Sequence, residues 1–379
     1  MKKFRLFAGK EIFMKFSVSK EIVLEAFLTT SKAASSKSTI AALEGLLLEL
    51  SDNKLTITGY NLEIGIRTEI PVDNGENGST VINARILCEI VRKMPSGILE
   101  FDIGENKTAT IKNGMTEFSI MCMRADEYPP VPQTGSQQGF TMSQPLLKSM
   151  INQTKYACAT TDTKPALTGC KFEIEDNILS VVAVDGIRIA LRQENVPYEN
   201  IDFIVPNRTL EELTHILSEE NDKKVTICID KNQISFEVGK YTMISRLING
   251  DFLEYRKHLT CEGSVFAEVN CREIIDMLDR AMLVINEKNK SPVRCEFGND
   301  SITMSCTTTL GKVYDKINVK YNGEPITIGF NAKYLLDAFK ACDTDKVKII
   351  LTGSAVSPVL IVPMEGKEFT FFLLPMRLK

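Results

Sequence analysis

Histidine is nearly missing: the 379 residues contain two, His215 and His258, far apart in the chain. A histidine-based zinc site or a Ser-His-Asp triad has little to draw on. No P-loop, paired-acid or metal-binding motif stands out. Long apolar runs are also missing, since none reaches the roughly 18 residues of a membrane-spanning helix. Ten cysteines are present, but no two lie within five residues of each other, so there is no C-x-x-C. They read as small buried hydrophobes carrying reduced thiols, in a cytoplasmic setting. The net charge of −4 argues against wholesale wrapping of nucleic acid, while leaving room for one basic surface.

The start, "MKKFRLFAGKEIF", is basic and apolar but lacks a long hydrophobic core and a small-residue cleavage site. It does not read as a signal peptide. Met14 opens "MKFSVS", a more natural start, so residues 1–13 read as an N-terminal extension or as the product of an upstream start.

What the chain does have is one unit written three times. "INARILCEIVRKM", "VPNRTLEELTHIL" and "FNAKYLLDAFKAC" align without gaps, placing Arg85, Arg208 and Lys333 in one column. Each segment is followed by an alternating strand: "ILEFDIG", "KVTICID" or "KVKIILT". An earlier helix recurs in "VSKEIVLEAF", "MSQPLLKSM" and "VNCREIIDML", with Ser19, Ser143 and Asn270 as expected N-caps. Strand pairs with polar turns come next, in "LLLELSDNKLTITG", "CKFEIEDNILSVVA" and "CEFGNDSITMSC". "TEFSIMCM", "YTMISRL" and "FTFFLLPM" close the units. The spacing predicts three α+β units of about 120 residues, each large enough for its own core.

In this frame the end of the chain is peculiar. Phe369 to Phe372 reads as a last strand, but Pro375 cannot donate to a sheet ladder, and Met376-Arg377-Leu378 continue past it. Apolar residues beyond a strand end usually fill something. Asp185-Gly186 in "VDGIRIALR" reads as a turn before a strand. Arg85, Glu89 and Arg92, with Cys88, share one expected helix face opposite Ile86, Leu87, Ile90 and Met94. Lys333, Asp337 and Lys340 repeat that spacing. A solvated face remains the ordinary reading of such charges.

Together, the three-unit layout, "VDGIRIALR" (184–192), "INGDFLEYRKHL" (248–259), "GFNAKYLLD" (329–337) and "LLPMRL" (373–378) resemble the bacterial DNA polymerase III beta subunits, the replicative sliding clamps. The likeness runs from Met14 to Leu378. It implies three tandem clamp domains, at 14–137, 138–260 and 261–379. It further implies a head-to-tail dimer ring with helices inside and sheets outside, which encircles duplex DNA without catalysis and without a cofactor. Its partners would be the replicative polymerase, the clamp loader and other proteins carrying a short apolar binding motif.

Carried over by position, the resemblance implies a partner-peptide groove. Its walls would include Leu167, Val184, Gly186, Arg188 and Ile189 from the second unit, then Leu253, Lys257 and His258. Asn331, Tyr334 and Ser357 would come from the third unit, with Phe372, Leu373, Leu374, Pro375 and Met376 from the tail and Arg377 as a flank. DNA-facing residues would be Lys37, Arg85, Arg92, Lys164 in the loop 160–166, Arg208 and Lys333. Phe118, Leu283 and Val284 would meet at the dimer contact, where Asn289 replaces a frequent aromatic. The chain departs from the family pattern at Ile187, usually His, at Leu253, usually Pro, and in carrying Lys379 after the usual terminal Leu. A catalytic reading has only a lone carboxylate after a strand to rest on. A peptide-binding scaffold that never surrounds DNA would keep the groove and leave the basic column accidental.

Overall fold

A computed structural model describes residues 13–104, 106–132, 139–161, 163–259, 265–285, 291–351 and 354–378. Cys261, Asn289, Lys379, most of the N-terminal extension and parts of both linkers lie outside the described residues.

Six helices fall where the repeat puts them: α1 (Lys20–Ser31), α2 (Ala84–Lys93), α3 (Gln144–Thr154), α4 (Asn207–Ile216), α5 (Cys271–Met282) and α6 (Ala332–Ala341). Asparagine caps three of them. The Asn83 side chain accepts from the Ile86 amide, Asn270 from Arg272 and Glu273, and Asn331 from Lys333 and Tyr334. These bonds satisfy amides that a helix start leaves without partners. Ser19 does not cap α1 as expected: its hydroxyl donates instead to the Glu21 carboxylate at 2.7 Å. A charged acceptor two residues away outcompetes the capping geometry.

The three strand pairs turn in one way. Asp52-Asn53, Asp176-Asn177 and Asn299-Asp300 all have positive φ at both positions, between 48° and 63°. That is the type I′ hairpin turn, which matches strand twist and favours Asn and Asp.

The contacts divide the chain into two units, residues 1–144 with 215–246, and residues 145–214 with 247–379. The first holds a five-stranded sheet ending in Thr116–Met121, and an eight-stranded sheet. In the latter, Tyr241–Arg246 from the second repeat pairs antiparallel with Ile64–Pro71 from the first. The core of this unit is aromatic and sealed. Phe16 stacks on Phe101 with ring centroids 4.6 Å apart, and Phe27 meets Phe101 edge-on.

The other unit repeats the device. Its nine-stranded sheet joins Arg188–Asn195 of the second repeat to Phe369–Leu373 of the third. A four-stranded sheet runs in the order Lys312–Asn318, Ser301–Thr307, Val293–Gly298, Ile326–Phe330. Neighbouring repeats thus share sheets, which removes edges that separate domains would leave open.

The expected face of α2 needs correction. Ala84, Leu87, Cys88, Ile90 and Val91 form its buried stripe, while Ile86 is exposed beside Arg85, Glu89 and Arg92. Cys88 is small and apolar enough to join the core, and Ile86 sits one step outside the stripe. None of the described helices is long and apolar enough to cross a membrane.

Candidate functional site

Strand alternation organises this region. Between Arg188–Asn195 and Phe369–Leu373 the register pairs Arg188 with Leu373 and Ile189 with Phe372. Successive side chains point to opposite faces. Arg188 and Ile189, both expected in one groove, therefore lie on opposite faces of the sheet.

On one face, Val184, Ile189, Leu191, Leu360, Phe372 and Tyr255 form an apolar cluster. Leu167, Leu374, Phe252 and Leu259 pack against it, partly buried. His258 meets Phe372 at 6.4 Å between ring centroids. The rim is open: Leu253 and Ile187 are both exposed, at 39% and 43%. Lys257 is also exposed, and its ammonium lies 3.9 Å from the Glu254 carboxylate. Ser357 is half-buried just ahead of Val359–Pro363.

A charged network holds the outer wall, residues 252–259, on the sheet. The Tyr255 hydroxyl donates to Glu173 at 2.7 Å. Lys171 and Arg256 pair with the same carboxylate at 3.1 and 2.8 Å. Burial opposes the Glu173 charge, but Tyr255, Lys171 and Arg256 outweigh it and hold the carboxyl below its ordinary range.

On the opposite face Arg188 is 9% exposed, and each of its three guanidinium nitrogens donates a hydrogen bond. Nε donates to Asp185 Oδ2 at 2.9 Å, Nη1 to Asp337 Oδ2 at 2.8 Å, and Nη2 to the Tyr156 carbonyl at 2.6 Å. Its guanidinium lies 4.2 Å from the Tyr334 ring centre. Burial works against the charge, yet Asp337 and Asp185 raise the pKa above its ordinary value. Asp185 also accepts from the Ile187 and Arg188 amides, and Gly186 takes φ +92°, so the turn is fixed locally. Beside this latch opens a cleft of 360 Å³ lined by Thr160, Thr161, Ile187, Asn331, Lys333 and Tyr334, among others.

The tail links the two faces. The Leu374 amide donates to the Ile187 carbonyl at 3.0 Å, and the Met376 amide to Gly329 at 2.8 Å. Pro375 ends the strand, but the chain regains a bridge to Ile326–Phe330 at Met376. The residues past Pro375 therefore rejoin the sheet rather than leaving it. Gly329 makes the approach feasible, because a Cβ there would stand 2.5 Å from the Met376 carbonyl oxygen. Pro375 and Met376 are half-buried and Arg377 is exposed.

The expected DNA-facing residues are all exposed. Lys37 lies in the loop after α1, Arg85 and Arg92 share the outer face of α2, and Lys164 precedes the short Pro165–Thr168 turn. Arg208 and Lys333 lie in the first turns of α4 and α6. The remainder of the α6 series is committed elsewhere, with Asp337 on Arg188 and Lys340 on Asp279 at 3.0 Å.

Of the expected dimer residues, Phe118 is 39% exposed on Thr116–Met121 and Leu283 is 81% exposed after α5. Val284 is half-buried, and its carbonyl accepts from Thr308. Both outer strands, Thr116–Met121 and Lys312–Asn318, have one side unpaired among the described residues. The sequence reading missed Met121, Leu310 and Tyr314, exposed apolar side chains in or beside those strands. Their alternation was visible, but which strand would be outermost was not.

Family models for the DNA polymerase III beta subunit match end to end: the N-terminal domain at residues 14–132, the central domain at 141–254 and the C-terminal domain at 260–377. The chain belongs to the DNA polymerase III beta subunit family. Its function is that of a sliding clamp in DNA replication. The beta sliding clamp of Halalkalibacterium halodurans is 31% identical over 382 residues, covering 96% of this chain and 100% of the relative. That of Bacillus subtilis is 31% identical over 378 residues, with the same coverage. A solved Bacillus subtilis clamp superposes with a TM-score of 0.91 at 30% identity, covering 97% of this chain and all of the other. A Pseudomonas aeruginosa clamp crystallised bound to griselimycin gives a TM-score of 0.90 at 25% identity, with the same coverage. Three tandem clamp domains of α+β type therefore make up the chain.

Proposed function

We propose that two copies of this chain close head to tail into a ring around duplex DNA and tether the replicative polymerase and other proteins to it. The observation that carries this reading is the pair of open sheet edges. Thr116–Met121 offers Phe118 and Met121, while Lys312–Asn318 offers Tyr314 beside Leu310 and Leu283. An edge with exposed apolar side chains is normally covered. Two unlike edges on one chain suit a heterologous contact that closes when its rotation does. The domains would be 14–137, 138–260 and 261–379.

Lys37, Arg85, Arg92, Lys164, Arg208 and Lys333 would face the DNA. Their contacts would be to phosphate, weak and blind to sequence, as sliding requires. Ring closure supplies retention, so the function needs no catalytic residue and no cofactor. Partner segments would seat apolar anchors on the cluster around Ile189 and Phe372, between Leu253 and the tail. Arg188 would fix the turn that forms the rim from the opposite face of the sheet, held by Asp185, Asp337 and the Tyr156 carbonyl. Griselimycin bound to the Pseudomonas aeruginosa relative supports a ligand-binding surface on clamps of this family.

The test is retention on DNA after loading. A ring stays on closed circles and runs off the same DNA once it is cut. Equal loss from both forms would favour a scaffold that never encircles DNA.

A further inference from the structure

The described cysteines are all free thiols, and Cys158 and Cys170 touch, with their sulfurs 3.6 Å apart. Cys170 is enclosed, at 0% exposed, and is the second residue of the strand Gly169–Glu175. Cys158 is 5% exposed and follows the short helical turn Lys155–Ala157. It lines the 360 Å³ cleft together with Thr160 and Thr161. The pair brackets the loop that carries Lys164, and the Ala159 amide closes the base of that loop on the Leu167 carbonyl at 2.8 Å.

We propose that Cys158 and Cys170 form a two-sulfur binding site for trivalent arsenicals, reached through the cleft and closed with both sulfurs on one arsenic. The separation of the sulfurs favours a bent centre. With bonds of about 2.3 Å, the length of a thiolate bond to zinc, sulfurs at a right angle stand ~3.3 Å apart and sulfurs in line stand ~4.6 Å apart. The observed 3.6 Å is close to the first spacing, which suits pyramidal trivalent arsenic. It falls well short of the second, which linear copper(I) or mercury(II) requires. A closed zinc site needs four donors, and among the described residues no group of three or more His, Cys, Asp or Glu is placed to hold a metal ion.

Burial selects the same class of reagent. The bond to Cys170 and then burial push the Cys158 thiol well above its ordinary pKa, so the thiolate that peroxide needs is scarce. Arsenous acid does not depend on a free thiolate, because the thiol proton leaves with the displaced oxygen. At each sulfur an As–S bond forms, an As–O bond breaks, and the departing hydroxide takes the thiol proton as water. Two such steps leave arsenic bound to both sulfurs and to one hydroxyl, with two waters released. Arsenic stays trivalent, neither sulfur is oxidised, and the product is neutral, as an enclosed site favours.

The test uses the full chain, reduced, freed of reductant and treated with sodium arsenite at neutral pH. Native mass spectrometry should show an adduct with the mass of one arsenous acid less two waters. A lone thiol holds arsenic by one bond and yields it to excess 2-mercaptoethanol, whereas a second sulfur already in place keeps the first bond from being lost. The parent adduct should therefore survive that wash about tenfold longer than any adduct of Cys158→Ser or Cys170→Ser, and leave promptly with 2,3-dimercaptopropanol. Cys228→Ser, which alters a half-buried thiol outside the pair, should retain it. Equal retention in the parent and in the Cys158 and Cys170 variants would overturn the proposal. Serine at an enclosed position can unsettle folding, so crystals of the treated parent supply a second measurement. Arsenic anomalous scattering should fall within bonding distance of both sulfurs, and arsenic bound only elsewhere would overturn the site.

Discussion

Two apolar assemblies in this chain use the same residue types and finish differently. Around Phe16, Phe27 and Phe101 the rings close on one another, and α1 and α2 pack over them. Around Ile189, Leu360 and Phe372 the floor is just as dry, yet the rim of Ile187 and Leu253 is exposed. A sealed core spends all its apolar area on folding. An open one keeps some for a guest, and its walls must be held by something other than packing. Here Glu173, Arg188 and the bridge at Met376 do the holding.

Opening the sealed core should have the largest effect. Phe101→Ala removes the ring that both Phe16 and Phe27 contact, and should cost about 3–5 kcal/mol in chemical denaturation. No comparable loss is expected from Leu253→Ala, whose side chain is already exposed.

Arg188→Ala comes next. It takes the guanidinium from the half-buried Asp185 and Asp337 carboxylates, of which Asp185 keeps its two backbone amides, and should cost about 1.5–3 kcal/mol. If Arg188 were instead a free groove residue, peptide affinity would fall while the melting temperature held.

Deleting Met376 to Lys379 should weaken a labelled polymerase-tail peptide about thirtyfold, close to 2 kcal/mol. The lost bond to Gly329 should also cost about 1 kcal/mol of stability, so melting and affinity must be measured together. Unchanged affinity would reduce the tail to a piece of sheet.

Glu173→Gln should lower the melting temperature modestly at neutral pH. The Glu173 carboxyl is held below its ordinary range, so its contribution is complete above the usual glutamate value of about 4.3. That contribution is lost as pH falls through the lower folded value. Parent and variant melts should therefore converge in acid and separate as pH rises. A gap that stays constant across pH would assign Glu173 a packing role alone.

The smallest effect belongs to Ile187→His. Peptide affinity at pH 7 should change by less than about 1 kcal/mol, but it should acquire a pH dependence near 6.5 that the parent lacks.

Much of this was legible in the sequence. The threefold repeat, its six helices and its hairpins follow from local periodicity and turn chemistry. The apolar floor was reached by position alone, since the resemblance rather than any alternation brought Val184, Ile189 and Phe372 together. Strand alternation does imply that Arg188 and Ile189 face apart, an inference that treating one groove as one surface obscured. What the sequence could not supply was long-range company. Asp337 stands 149 residues from Arg188, and nothing local marks it as the partner. Cys158 and Cys170, whose sulfurs lie 3.6 Å apart, likewise go unmarked by their spacing along the chain. The sharing of sheets between repeats was invisible for the same reason.

The three type I′ turns carry a historical consequence. Each needs two successive residues at positive φ, and each answers with one Asp and one Asn, in the order Asp-Asn twice and Asn-Asp once. Helix faces can drift freely so long as their stripe stays apolar, but a hairpin of this kind admits few residues without losing its register. If the three units descend from one duplicated ancestor, these six positions are where its imprint should fade most slowly. Traces of the same triplication in more divergent chains are best sought at the hairpins rather than along the helices.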